Sequence, residues 1–263
     1  MALDLSIGIV SWHNSEYIVR LVSSIEKYTD PKLKKRIYIV DNAGEPERFA
    51  FLIRQYDDVI YIPSKGNVGF GAGHNLLLDQ IDSDFHAVVN PDVLLKEDSF
   101  SILLDFMKKE KCGISVPCLV DSQGKRIGAY RNNPDLPSIL ARTVGKRLFA
   151  AQNRKNELAG MDYGKPFQVP FAQGSFLVCR TSLLKKLKGF DERFFMYLED
   201  ADLCRRANEI SAVMYCPYTS VIHNWERGSH KSLKLFGIHL ASWFKYFQKW
   251  GWFSPSKSVK EIS

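Results

Sequence analysis

The sequence predicts an α/β fold in which a mostly parallel sheet is flanked by helices. Short β-branched runs alternate with segments whose apolar residues recur at helical spacing, and this alternation is typical of parallel strands joined by right-handed crossovers. Each of the first four predicted strands is followed by polar residues. Because ligands bind beyond the carboxyl ends of such strands, the same pattern predicts a ligand site at one edge of the sheet.

Four strand and helix units fill the first part of the chain. The polar residues that follow their strands are Ser11, Asp41, Asn67 and Asp92. The predicted strands cover residues 5–10, 36–40, 59–62 and 85–89, and the predicted helices cover 15–28, 46–56 and about 73–81.

The alternation ends after Gly113. Residues 131–165 are polar, contain proline and include one basic helical patch near 138–150, so we expect a mobile connection or lid. Further strands are predicted at 114–120, 168–171, 175–179, 212–216 and 220–222.

Length and composition indicate a globular protein with an anionic partner. The 263 residues are 45% hydrophobic and 25% charged, enough for one large α/β domain or two small ones. A net charge of +7 favours a nucleotide, a nucleic acid or a membrane surface as partner. The five cysteines lack CxxC or zinc spacing, and neither a signal peptide nor an apolar run of about 18 residues is visible. We therefore expect reduced thiols and a cytoplasmic location.

The acidic segment 195–206 is the strongest functional signal. It places Glu199, Asp200 and Asp202 within four residues, directly after an aromatic run. Carboxylates this close repel one another, so a metal, a cationic partner or a proton to abstract would justify them. One of them can act as the general base for an acceptor hydroxyl. The alternative is a helix start in which the acids complement the helix dipole and pair with Arg205 or Arg206.

A second acidic site lies at Asn90-Pro91-Asp92, after the strand 85–89. Asp92 offers a carboxylate oxygen to Mg²⁺ or Mn²⁺, although an Asx-Pro turn is the plain alternative. His223 ends an apolar strand. A histidine there is usually a structural hydrogen-bonding group, but it would complete a metal site at Asp92.

The glycine-rich loop 66–73 precedes a predicted helix. Backbone amides at a helix N-terminus can cradle a diphosphate. The glycine spacing matches neither a Walker loop nor the dinucleotide fingerprint, so by itself the pattern is weak.

The C-terminal segment 231–253 predicts a basic amphipathic helix. It has no acidic residue, and a broad aromatic face opposes a lysine face. Packing of the aromatics on the sheet is one interpretation, but the single-signed charge favours binding to anionic lipid. Nucleic acid is disfavoured because no recognised binding module accompanies the helix. The residues predicted to contact the membrane are Lys234, Trp243, Phe247, Lys249 and Trp250.

With these motifs in order, the chain resembles glycosyltransferase family 2, in particular its bacterial rhamnosyltransferase-like branch. The resemblance covers roughly residues 5 to 225, and the ordered set of motifs is more specific than any one of them. The motifs lie at 9–14, 40–42, 67–71, 90–92, 172–176, 189–191, 195–203 and 221–223.

The resemblance implies a GT-A type, Rossmann-like fold and an inverting, metal-dependent transfer from a nucleotide sugar. It makes Asp200 the general base and Glu199 the residue that positions the acceptor. It also makes Asp92 and His223 ligands of Mg²⁺ or Mn²⁺, with Asn90 in place of the first acid of the family's Asp-x-Asp motif. The residues expected to bind the nucleotide sugar are Ser11, His13, Asp41, Asn67, Phe70, Asn75, Asn90 and Asp92.

The same resemblance suggests the organisation and the partners. Residues 1–230 form one glycosyltransferase domain, with a nucleotide-sugar half at 1–125 and an acceptor half at 126–230, and residues 231–263 associate with the membrane. The expected donor is dTDP-rhamnose. The expected acceptor is a lipid-linked glycan of bacterial cell-surface polysaccharide synthesis at the inner face of the plasma membrane. A nucleic-acid partner is not expected, and homo-oligomerisation is left open.

Three alternatives remain at this point. The donor is a UDP-sugar within the same family; the protein is a nucleotidyltransferase; or it is a non-catalytic, membrane-docked scaffold with a degenerate metal site, as Asn90 suggests. A nucleotidyltransferase usually carries a basic glycine-rich loop after the first strand, and residues 11–14 form none. A scaffold would have no need of Glu199 and Asp200.

Overall fold

A computed structural model describes residues 3–144, 149–223 and 233–253. Its strands form one large sheet and a small two-stranded sheet. The strands are β1 (Leu5–Ser11), β2 (Lys35–Asp41), β3 (Val59–Pro63), β4 (Phe85–Val89), β5 (Val93–Leu94), β6 (Ile114–Val120), β7 (Tyr130–Arg131), β8 (Phe167–Gln168), β9 (Phe171–Ala172), β10 (Phe176–Arg180) and β11 (Val213–His223).

Helices flank the sheet, as the sequence predicts. A 3₁₀ turn at Pro46–Arg48 precedes the second of them. The helices are α1 (Ser15–Tyr28), α2 (Ala50–Gln55), α3 (Phe70–Asn75), α4 (Ser99–Glu110), α5 (Leu136–Val144), α6 (Ala150–Asn156), α7 (Thr181–Lys186), α8 (Glu199–Ile210) and α9 (Leu233–Trp250).

The large sheet has the strand order β3-β2-β1-β4-β10-β6-β11-β5, with β8 paired to β11. Strands β1 to β4 run parallel, which confirms the predicted parallel sheet. Strand β10 then pairs antiparallel with both β4 and β6, so one sheet joins the two halves of the chain. All seven residues of β1 are buried, because strands in the middle of a covered parallel sheet have no solvent-facing side.

The structure corrects several predicted boundaries. The helix predicted over 46–56 is divided into the 3₁₀ turn and α2, and the one predicted to reach Ile81 ends at Asn75. The strands predicted at 212–216 and 220–222 are one strand, β11, with an irregularity between Tyr215 and Ser220.

The stretch 131–165 is more regular than the predicted connection, although α5 overlaps the basic helical patch predicted near 138–150. It contains α5 and α6. Ile139 of α5 packs against a hydrophobic cluster that includes Tyr246 and Phe247 of α9. A partner about a hundred residues away in sequence stabilises this helix, and local patterns do not reveal such partners.

Two histidines lie in the core beneath the first strand. The Nδ1 atom of His86 is 2.7 Å from the Ser6 hydroxyl. His74 lies directly against Gly8, where a Cβ atom would come within 3.0 Å of its ring. Burial lowers the pKa of each histidine to about 3, so both are neutral at ordinary pH.

We predict that these two histidines make the protein sensitive to acid. An unfolded histidine titrates near pH 6.5, so between about pH 6.5 and 3 the unfolded chain binds more protons than the folded one. The stabilising contribution is complete above about pH 6.5 and is lost as the pH falls towards 3. Each histidine adds about 1.4 kcal/mol per pH unit to the slope. Urea unfolding of wild type and His74→Leu between about pH 4.5 and 6.5 measures the slope.

His74→Leu should reduce the slope of the unfolding free energy against pH by about one proton. Equal slopes for wild type and His74→Leu would contradict the prediction.

Candidate active site

The ends of β1 and β2 lie side by side at the predicted ligand edge. Ser11 and Asp41 are partners in the β1–β2 register, and both are buried. The Asp41 carboxylate accepts hydrogen bonds from the amides of Ala43 (2.8 Å) and Glu45 (2.6 Å) and from the Tyr61 hydroxyl (2.9 Å). Burial and the Asp41 carboxylate together raise the pKa of Tyr61 to about 12. Asp41 therefore orders the loop after β2, and this loop borders the expected nucleotide pocket.

Trp12 and His13 follow β1 and lie exposed at this edge of the sheet. His13 has a left-handed backbone (φ 54°), and its Nδ1 atom is 3.1 Å from a carboxylate oxygen of Glu45. The rings of Trp12 and His13 are 4.4 Å apart, and Trp12 is 48% exposed. Trp12 is a candidate that the sequence analysis left out. A large aromatic residue among polar residues just after a strand was the available signal.

Asp92 and His223 come together as the metal hypothesis requires. His223 ends β11 and is paired in register with Val93 of β5. Its Nε2 atom is 3.3 Å from Asp92 Oδ2. The ring is buried, and its Nδ1 atom has no hydrogen-bond partner in the described ranges.

These two side chains suit a divalent cation that is shared with a substrate. Among the described residues no group of three or more His, Cys, Asp or Glu side chains could hold a metal by itself. Mg²⁺ is commonly held by one or two carboxylates together with substrate phosphates. The Asp92 carboxylate fits that arrangement, with the His223 imidazole 3.3 Å away as a second possible ligand.

Asp200 lies in the first turn of α8. Its Oδ2 atom accepts a hydrogen bond from the Gly174 amide (2.9 Å), and its Oδ1 atom accepts one from the Ala201 amide (2.8 Å). Burial raises the pKa of Asp200, and these backbone bonds oppose the rise. The side chain keeps some solvent exposure, so a substrate can reach it.

Glu199 has a different environment. It is only 5% exposed, and its Oε2 atom has no hydrogen-bond partner among the described residues. Burial, followed by the charge of Asp200, raises the pKa of Glu199 well above its usual value. Two adjacent carboxyls, one of them buried and the other only partly exposed, do not both ionise readily. Because Asp200 has the backbone donors, we assign the negative charge to Asp200 and the proton to Glu199.

The chain segment Gly174-Ser175 links the two acidic sites. Gly174 donates to Asp200, and the carbonyl of Ser175 accepts a hydrogen bond from the Asn90 amide at 2.9 Å. A Cβ atom on Gly174 would lie 3.1 Å from Asp200 Cβ, so a larger side chain would press on Asp200. The acidic helix start and the Asn90-Pro91-Asp92 turn therefore form one site.

The glycine-rich loop packs against this site at Gly69 and Phe70. The Phe70 amide donates to the Phe195 carbonyl at 3.1 Å. A Cβ atom on Gly69 would come within 2.2 Å of the same oxygen. The side-chain oxygen of Asn67 accepts a hydrogen bond from the Gly69 amide. The glycines thus permit the loop to approach the acidic segment closely.

Asn75 and Phe70 support this contact from α3. The Asn75 amide bonds to both the backbone N–H and the carbonyl of Phe190, each at 2.8 Å. Its NH₂ group also donates to Glu192. Both polar atoms of Asn75 are thus used within the protein, so nucleotide-sugar binding by Asn75 is not supported. The Phe70 ring contacts the rings of His74 and Phe190.

Helix α9 packs against the segment that leads into α8. Tyr246 and Phe247 are buried in a cluster with Phe194, Leu198 and Ala201. Tyr197 and Leu198 both have left-handed backbones (φ 72° and 68°), which is costly for bulky residues. The α9 contacts help to hold this unfavourable turn directly before Glu199 and Asp200.

Charged contacts also fix α9. The Lys249 ammonium is 2.7 Å from both Asp191 and Asp202, and the Trp250 indole donates to Asp202 at 2.8 Å. Arg206 forms a further ion pair with Asp202 at 2.7 Å.

This packing revises part of the predicted membrane contact. Phe247, Lys249 and Trp250 bind the protein itself, because the apolar face is broad enough for one side to be buried. Trp243 is partly buried, and Lys234 is exposed. Among the described residues, no helix is long and apolar enough to cross a membrane.

The fold and the site define a glycosyltransferase of the GT-A type. Two solved structures share the fold. One is GalNAc-T7 with UDP, GalNAc and Mn²⁺, with a TM-score of 0.66 and 13% identity, covering 95% of this chain and 48% of that one. The other is the mannosyltransferase PcManGT from Pyrobaculum calidifontis with GDP-Man and Mn²⁺, with a TM-score of 0.65 and 14% identity, covering 98% and 66%. This chain thus spans about half to two thirds of those chains.

The sequence comparison identifies the family. The model for glycosyl transferase family 2 matches residues 6–188, and the chain belongs to that family. The rhamnosyltransferase WbbL of Escherichia coli (strain K12) is 26% identical, covering 92% of this chain and 91% of WbbL. The low-salt glycan biosynthesis hexosyltransferase Agl10 of Haloferax volcanii is 28% identical, covering 84% and 67%. An N-acetylglucosaminyl-diphospho-decaprenol L-rhamnosyltransferase of Mycobacterium tuberculosis is 25% identical, covering 84% and 76%.

We predict that Asp202→Asn destabilises the protein by roughly 3 kcal/mol, because it leaves Arg206 without its buried carboxylate partner and Lys249 with Asp191 alone. The Asp202 side chain is 0% exposed. Thermal or urea unfolding measures the loss. The matched control is Asp105→Asn, at an ion pair with Lys108 in which both side chains are more than half exposed. That change should cost less than about 1 kcal/mol. Similar losses in the two variants would show that the Asp202 network does not hold α9.

Proposed function

We propose that this glycosyltransferase is an inverting enzyme that transfers L-rhamnose from dTDP-rhamnose to a lipid-linked glycan in bacterial cell-surface polysaccharide synthesis. The observation that carries the proposal is the Gly174-Ser175 segment, which binds Asp200 on one side and the Asn90-Pro91-Asp92 turn on the other. A base for the acceptor and a turn suited to the donor diphosphate are thereby held in one site.

In the proposed reaction Asp200 takes the proton of an acceptor hydroxyl. The acceptor oxygen forms a bond to the anomeric carbon from the face opposite the nucleotide. The bond from that carbon to the diphosphate oxygen breaks, and dTDP leaves with the electron pair. The configuration at the anomeric carbon is therefore inverted. Glu199, which carries its own proton, positions the acceptor and does not compete for the transferred proton.

Asp92 and His223, beside Asn90, are the residues that would hold Mg²⁺ or Mn²⁺. A bound divalent cation neutralises charge on a leaving diphosphate. His223 enters from β11, and its burial fixes the ring towards Asp92.

The donor pocket is proposed at the ends of β1 and β2. Ser11 and Asp41 lie at its base, His13 lies at its rim, and Asn67 and Phe70 belong to the adjoining loop. The relatives named as rhamnosyltransferases support rhamnose as the sugar. The name of the Mycobacterium tuberculosis relative includes a diphospho-decaprenol, and this supports a lipid-linked acceptor. We accordingly place the enzyme at the inner face of the plasma membrane.

We predict that Asp200→Asn lowers the transfer rate by about 10²- to 10⁴-fold, because the amide cannot accept the acceptor proton. The affinity for dTDP should change little, since the substitution lies on the acceptor side of the site. Product formation and calorimetric dTDP binding measure the two effects. Asp105→Asn, at an exposed carboxylate far from the acidic helix start in sequence, is the control and should retain full activity. Unchanged turnover by Asp200→Asn would exclude Asp200 as the base.

We predict that a panel of dTDP-, UDP- and GDP-sugars, with and without chelator, yields sugar release from dTDP-rhamnose alone and only with Mg²⁺ or Mn²⁺. Turnover of a UDP-sugar would keep the family and reject the rhamnose assignment. Turnover that persists in chelator would reject the role of Asp92 and His223 as metal ligands. If purified protein bound none of the nucleotides, the scaffold alternative would replace the enzyme proposal.

A further inference from the structure

Helix α9 has a second apolar side that is exposed in the described part of the protein. Phe236, Leu240 and Phe244 are 52%, 44% and 53% exposed, and their spacing of four residues places them in one row along the helix. Trp252 and Phe253 follow the helix and are also exposed. Large exposed apolar groups in a continuous row mark an interaction surface.

Helix α5 extends this surface. Its Leu136 amide donates to the Trp252 carbonyl at 3.0 Å, and its Ile139 packs against the α9 cluster. The next residue, Leu140, is 49% exposed. We call the six residues together the outer face: Leu140, Phe236, Leu240, Phe244, Trp252 and Phe253.

The charge of the chain is concentrated in the two segments that bear the outer face. Residues 136–156 and 227–260 contain twelve of the 36 Lys and Arg residues and none of the 29 Asp and Glu residues. The remainder of the chain therefore holds 24 basic and 29 acidic residues and is slightly acidic. Within α9, Lys245 and Lys249 bond to the protein itself, whereas Lys234 is exposed.

We propose that the outer face docks on an anionic lipid bilayer. Aromatic and leucine side chains would enter the boundary between headgroups and acyl chains, while Lys and Arg residues of the same two segments attract the lipid phosphates. A second copy of the chain fits less well, because these two segments contain no acidic residue to pair with the basic residues of another copy. A nucleic acid would leave the row of apolar side chains without a partner.

The two sides of α9 connect the membrane to the catalytic site. On the inner side, the Ser242 hydroxyl donates to the Met196 carbonyl at 2.8 Å, and the His239 ring stacks on Tyr197 at 4.5 Å. These contacts hold the turn before Asp200. Docking by the outer face would thus present the base close to the bilayer, where a lipid-linked acceptor is found. This last consequence rests on the proposed function, but the docking itself does not.

The test is co-sedimentation of the full chain with vesicles of phosphatidylcholine alone or mixed with phosphatidylglycerol. Wild-type protein should bind the mixed vesicles, bind the neutral ones more weakly, and lose affinity as salt increases. Each of Leu240→Ser and Phe244→Ser should weaken binding by about tenfold or more, because each removes a side chain that would be buried in the bilayer. Phe51→Ser, at a phenylalanine of α2 that is 62% exposed, is the matched control and should bind as wild type.

Three results would overturn the proposal. Folded wild-type protein does not bind the vesicles; it binds neutral and anionic vesicles equally; or Phe51→Ser loses as much vesicle binding as Leu240→Ser and Phe244→Ser. Light scattering measures the oligomeric state and gives a fourth such result. If wild-type protein is a dimer and Phe244→Ser is a monomer, the outer face binds a second copy of the chain. Unchanged melting temperatures ensure that the variants are folded. The vesicle assay contains no donor, so its failure is separate from failure of the proposed reaction.

Discussion

The buried start of α8 is the constraint around which the site is built. The adjacent carboxyls of Glu199 and Asp200 follow two residues with left-handed backbones, Tyr197 and Leu198. This arrangement is unfavourable because the carboxyls are desolvated and repel each other and because the backbone is strained. Its surroundings offset that cost. The Gly174 amide binds Asp200, the Phe70 amide binds the Phe195 carbonyl, and α9 covers Leu198. We expect that removing any of these supports would relax the turn and displace the Asp200 carboxylate.

The same constraint explains the residues near the site that bind no substrate in our proposal. Gly69 and Gly174 allow backbone to approach the acidic segment more closely than a side chain would permit. Asn75 fixes the Gly189-Phe190 turn with both of its amide atoms. Lys249 neutralises Asp191 and Asp202 and so attaches α9. Positioning of this kind matters because a general base must meet the acceptor oxygen within hydrogen-bond distance.

Much of the first half of the fold was predictable from local sequence. The periodicity of β1, α1 and β2 is local, and the polar residues at the strand ends reach one edge once the strands are parallel. The convergence of Asp92 and His223 was expected from the resemblance, and the structure brings them within 3.3 Å. Helix α5 was predicted only as a basic helical patch within an irregular connection, because its contacts with α9 are distant in sequence. Helix α6 was not predicted. The packing of Phe247, Lys249 and Trp250 against the protein was not predicted. An amphipathic pattern fits a helix that packs on a protein and one that binds a membrane equally well.

The sequence by itself determined the class of fold, the family and the identity of the acidic residues, because these depend on local patterning and on the order of motifs along the chain. The tertiary structure alone decided that Glu199 is buried, with no hydrogen-bond partner for its Oε2 atom among the described residues, while Asp200 has two backbone donors. It also decided which side of α9 is covered. Both results depend on contacts between segments far apart in the chain, where burial and partner geometry set the charge of a carboxyl and the exposure of an aromatic ring.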